Sequence, residues 1–203
     1  MKKSVITFAL AAQVATSTTG AAQPREEPSY RIDEAPARLT AGIEIADAAI
    51  RALQQRLSAR LLDEMKKGGP ARAISVCRDE AQALTAEIAR VQGVRVGRTS
   101  DRLRNPGNAA PSWAERFVEA SAGRKAASVE ATVVDLGDRV GVLRPIPTAA
   151  PCLQCHGRAE RLSADVRAFI KSAYPKDRAV GFDAGDLRGL IWAEAPIRTT
   201  PSS

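Results

Sequence analysis

The stretch SVEATVVDLGDRVGVLRPI (128–146) reads as two strands joined at Leu-Gly-Asp. Val129, Val133, Val140 and Val142 supply the β-branched residues that half-buried pleated backbone favours, and Gly-Asp supplies the turn. The chain around this hairpin has a different period. Over 41–67, apolar residues recur at helical spacing: Ile43, Ala46, Ile50, Leu53, Leu57, Leu61 and Met65. KKGG (66–69) then gives a basic last turn followed by glycine, which predicts a helix C-terminus. A second helix is predicted after Pro70. Its Ile74, Cys77, Ala81, Leu84 and Ile88 fall at steps of three and four, which puts Cys77 inside a buried stripe.

The rest of the chain completes the class. GVRVGRTS (93–100) is short and alternating, RLRNPGNAAPSW (102–113) is rich in turn residues, and a brief helix is predicted over 113–120. Ser163 is placed to cap a helix carrying Val166, Phe169 and Ile170. YPKDRAVGFDAGD (174–186) reads as loop, and LRGLIWAEAPI (187–197) as a last strand. Helices first, then a mostly antiparallel sheet with one inserted helix, make an α+β domain.

Residues 1–22 have the order of a secretory signal: Lys2 and Lys3, a short apolar run, then small residues ending at Ala22. The run is too short to span a bilayer, which takes roughly 20 residues, so cleavage and release to the periplasm are expected, with no membrane anchor. Residues 23–40 are rich in proline and charge and read as a flexible lead-in, 41–197 as the domain, and 198–203 as a tail. Loss of Lys2 and Lys3 lowers the net charge from +7 to +5. The remaining surplus is scattered among arginines without a dense basic run, which argues against nucleic acid and fits an acidic partner or an anionic cofactor better.

The chemistry is concentrated in CLQCH (152–156). C-x-x-C-H is the attachment sequence of c-type haem. Cys152 and Cys155 can each form a thioether with one haem vinyl group, and His156 can then reach the iron from the same side. Two other readings compete. A thioredoxin-type disulfide normally opens a helix in a βαβ unit, whereas this motif follows a hairpin and RPIPTAAP (144–151). A zinc site of Cys77, Cys152, Cys155 and His156 is chemically sensible, but adjacent Cys155 and His156 are awkwardly spaced for one tetrahedral ion. Haem together with an export signal is the coherent pairing.

His156 is the chain's one histidine, so two histidines cannot flank the iron within one chain. Cys77, Met65, an amine, water or an empty position remain on the other side. Free cysteine is commonly a small buried hydrophobe, and the spacing leaves packing and ligation both open for Cys77.

Four segments together, AISVCRDEA (73–81), VRVGRTSDRLRNPGNAAPSW (94–113), CLQCHG (152–157) and YPKDRAVGFDAGDLRGLIWAE (174–194), resemble a family of exported bacterial c-type haem domains, the Tll-like haem domains. The resemblance runs over about 41–194, with the motifs in order. It implies a PAS-like antiparallel sheet with N-terminal helices packed around one covalently bound haem c. It further implies Cys152 and Cys155 as covalent anchors, His156 as proximal iron ligand and Cys77 as the ligand opposite. Arg98, Arg102 and Arg104 are then candidates to meet the haem propionates.

A His/Cys-ligated haem points to a redox or gas sensor that binds a diatomic ligand and acts through a redox or signalling protein partner. Simple periplasmic electron transfer is the alternative. Enzyme activity is not expected, since a peroxidase would need acid–base groups over an open site and a second histidine is lacking. Aromatics make up 4% of the chain, a small share for filling a core, so a poorly folded apoprotein is expected.

Overall fold

In a computed structural model, which describes residues 26–197, the hairpin forms as Thr132–Asp135 (β3) and Arg139–Pro147 (β4), with Gly137 at φ +88° in the turn. Ser29–Arg31 (β1) pairs with β3, Leu187–Pro196 (β5) with β4, and Arg95–Thr99 (β2) with β5. All pairs are antiparallel, and the sheet order is β1-β3-β4-β5-β2. The α+β expectation therefore holds. The readings of 1–22 and 198–203 lie outside the described residues.

Within the predicted lead-in, the described part, 26–40, departs from what its composition suggests. Within it, β1 extends the sheet and Leu39, in the 3-10 turn Ala37–Leu39, is fully buried. A three-residue edge strand needs only Tyr30 packed against the core, too little for a period to register among prolines and charges.

The predicted helix boundary at KKGG becomes a kink. Helix α1, Thr40–Ser75, has non-helical backbone at Gly68 and Gly69, the latter at φ +72°. It resumes at Pro70, whose missing N–H costs nothing in a first turn. A π-helical turn, Val76–Glu80, follows and carries Cys77, and α2, Ala81–Gln92, ends at left-handed Gly93. Of the predicted stripe, Ala46, Ile50, Leu53 and Leu57 are buried, whereas Leu61 and Met65 are half-buried.

The two sheet faces carry separate cores. Val96, Val133, Val140, Val142, Ile191, Ala193 and Ala195 pack on α1 and α2. Val134, Leu143, Leu190 and Trp192 pack on Trp113 and Ala114 of α3, Ser112–Ser121. Each fully buried Val, Leu or Ile stabilises the fold by about 1.5–3 kcal/mol before chain entropy is counted. The buried members of the α1-face core are all aliphatic. Aliphatic side chains thus fill this core where the chain is poor in aromatics.

On the α3 face the indoles demand glycine. A Cβ on Gly141 would lie 2.8 Å from Trp113, and one on Gly97 2.7 Å from Trp192. The two indoles meet edge to face at 6.3 Å, and Trp113 Nε1 donates to buried Glu194 at 2.8 Å, which leaves them little room to shift. Gly141→Ala is expected to cost about 1–3 kcal/mol by overpacking, read as a lower denaturation midpoint. An unchanged midpoint would mean that the indole moves freely.

Candidate functional site: the CLQCH turn and its surroundings

CLQCH lies on a one-turn helix, α4, Leu153–His156, entered through the 3-10 turn Ala150–Cys152. Helical spacing puts Cys152 and Cys155 on one face. Cys152 is half-buried, Cys155 is buried, and all three cysteines are free thiols. Gly157 closes the turn, because a Cβ there would come within 2.5 Å of the Leu153 carbonyl oxygen.

His156 is fixed by the chain 23 residues downstream. Its Nδ1 lies 2.7 Å from the Ala179 carbonyl oxygen. A carbonyl can only accept, so Nδ1 carries the proton and Nε2 keeps its lone pair. Burial, with Arg188, Arg104 and Arg98 nearby, holds the imidazole pKa well below its ordinary value, so the ring is neutral. The backbone frames it as well: Phe182 N–H donates to the His156 carbonyl at 3.0 Å, and Gly181 N–H to that of Gly157 at 2.9 Å. The buried Phe182 ring stands perpendicular to the imidazole.

Ala179 is itself held by a buried ion pair. Asp177 Oδ1 accepts from Ala179 N–H at 2.9 Å and from Arg104 Nε at 3.1 Å. Arg104 Nη2 donates to the Cys155 carbonyl at 2.6 Å and to that of Ala179 at 3.3 Å. One guanidinium thus ties the cysteine turn to the loop that orients the histidine.

Cys77 is half-buried on the π turn that follows α1. Ile74, one turn earlier, packs in a buried cluster with Cys155, Leu162, Val166, Ile170 and Tyr174. Cys77 lies close enough to act electrostatically on Cys155, Tyr174, Arg98 and Arg188. Burial, with Cys77 and Cys152 adding, pushes the Cys155 thiol up to about 11, despite the opposing pull of Arg104. Burial, then Cys77, pushes Tyr174 up to about 12. Cys77, Cys155, His156 and Arg98 therefore share one locality. Among the described residues, no three His, Cys, Asp or Glu side chains converge as ligands of a metal ion, so the zinc set is not assembled.

The three arginines singled out in the sequence divide. Arg104 is committed to Asp177 and two carbonyls. Arg102 lies over Phe182, 3.6 Å from the ring centroid, and donates to the Val180 carbonyl at 3.1 Å. Arg98 has no carboxylate partner among the described residues, and burial lowers its pKa. Arg188, on β5, was missed. Its Nε is buried without a partner among the described residues, and burial, with Arg104 and Arg98 nearby, brings its pKa down to about 10. The signal was present, since a charge inside LRGLIWA is the informative exception in an apolar strand. The Ala179 carbonyl has no such signal, because any residue supplies one.

A family model described as Tll0287-like matches residues 8–196. The chain belongs to the Tll0287-like family. The crystal structure of the cyanobacterial haem protein Tll0287 is similar to this Tll0287-like chain at 23% identity and a TM-score of 0.52. The match covers 83% of this chain and 99% of that one, and the two share the fold. No curated protein matches this Tll0287-like chain.

Proposed function

We propose that this Tll0287-like chain is a periplasmic mono-haem c-type protein with His156 and Cys77 on the iron, serving as a redox or gas sensor through a protein partner. The observation that carries the reading is the hydrogen bond from His156 Nδ1–H to Ala179, which leaves a neutral imidazole with Nε2 free to bind metal. Cys152 and Cys155 on one helical face suit two thioethers. Arg98 and Arg188 are half-buried cations without carboxylate partners among the described residues, and a charge removed from water without a partner is costly. Two propionates would answer them, whereas Arg104 serves to position the turn.

Bound haem would supply a one-electron couple whose potential follows its axial ligands. The chain's own contribution is to hold His156 in one tautomer, to present Cys77 from a π-helical turn, and to line the site with cations. A thiolate favours the oxidised state, and a thiolate that leaves on reduction makes the two-state element that sensing needs. Retention of both ligands through reduction would instead favour electron transfer.

Covalent attachment is tested by acid–acetone extraction of protein made in an oxidising compartment. Colour is expected to stay with the wild-type polypeptide and to be lost entirely from the Cys152→Ala/Cys155→Ala variant. Extractable haem in the wild type would overturn the proposal.

A further inference from the structure

Cys77 sits on a π turn between the end of α1 and the start of α2. The kink at Gly68 and Gly69 separates it from the first part of α1, and the π turn Val76–Glu80 surrounds it. A π turn holds one residue more than an α turn. Its collapse into regular helix would swing a side chain by about 100°, the angle per residue.

Side chains span the kink. Arg60, on the first part of α1, grips Glu80, the last residue of the π turn, with Nε to Oε2 at 2.7 Å and Nη2 to Oε1 at 2.8 Å. The same guanidinium donates through Nη1 to Glu64 Oε1 at 2.5 Å, and Arg72, beyond the kink, takes the other Glu64 oxygen. Glu64 is buried, and Arg60 and Arg72 hold its carboxyl down to about 2. A two-point grip by a planar guanidinium fixes orientation as well as distance.

We infer that Arg60 and Glu80 are positioning residues for Cys77: their bidentate pair pins the far end of the π turn and so keeps the thiol aimed into the site. The inference rests on the reading of Cys77 as an iron ligand. A second pair between α1 and α2, Arg56 to Glu87 at 3.1 Å, joins the helices away from the π turn and serves as a control for general helix packing.

The test uses ferric haem-loaded protein mixed with imidazole, whose binding requires the thiol to move aside. Arg60→Gln and Glu80→Gln are expected to bind imidazole roughly tenfold faster than wild type, the factor given by about 1.4 kcal/mol of lost tethering. Arg60→Lys, which keeps charge but not the fork, should fall between them and wild type, and Arg56→Gln should match wild type. Cys77→Ala sets the upper rate. If Cys77→Ala is fast while Arg60→Gln and Glu80→Gln stay within about twofold of wild type, the positioning role is overturned and the ligand reading stands. If Arg56→Gln accelerates binding equally, ordinary helix packing is responsible and the positioning role is overturned. If Cys77→Ala binds no faster than wild type, the ligand reading fails and this inference falls with it.

Discussion

Asp177→Asn is expected to destabilise the protein by about 3 kcal/mol, because it strands the buried Arg104 guanidinium without its counter-charge. Arg104 and Asp177 side chains are 7% and 6% exposed, so water cannot replace the lost carboxylate. The Cys155 and Ala179 carbonyls still accept from Arg104, which sets the cost at the low end for a broken buried pair. For a chain of this size each kcal/mol moves the melting temperature by about 2–4 °C, so a fall of about 6–12 °C is expected. Arg104→Met in the Asp177→Asn background should cost less than the sum of the two changes, the mark of a coupled pair. Additive losses in thermal melts would show that the pair is not a unit. The effect bears on function because Asp177 also accepts from Ala179 N–H, two residues along.

Phe182→Ala should cost about 3–5 kcal/mol, the usual range for truncating a buried phenylalanine. The ring is 1% exposed, with Arg102 on its face at 3.6 Å and Arg188 at 5.2 Å. Its removal opens a void beside His156 and takes from both guanidiniums the aromatic surface that offsets their burial. Phe182→Leu retains most of the volume and should cost clearly less, under about 1.5 kcal/mol if the site repacks. Urea unfolding of the two variants measures the difference. Equal midpoints for Phe182→Ala and wild type would mean that the ring fills no needed space.

How much was legible depends on what each feature asks of side chains. The hairpin could be read because Val133, Val140 and Val142 had to alternate around a glycine turn. An interruption at Gly68 and Gly69 could be read, as a helix end, because both are poor helix residues. The π turn could not, since one extra residue leaves the apolar steps around Cys77 unchanged. β1 was hidden by its length. At the site, Cys152, Cys155 and His156 were legible as a C-x-x-C-H motif, because the proposed thioether and imidazole chemistry would require those residue types at that spacing. The ties from Arg104 to Asp177 and from His156 to Ala179 span 73 and 23 residues. Such pairings are set by tertiary packing, and half of the second is a backbone oxygen.

The central claim is that His156 and Cys77 face each other across one haem. Optical and paramagnetic-resonance spectra of the ferric protein, beside those of Cys77→Ala, test it most directly. A low-spin thiolate signature in the wild type, replaced in Cys77→Ala by a different spin state or ligand field, is the predicted result. Identical spectra from the two proteins would contradict the account.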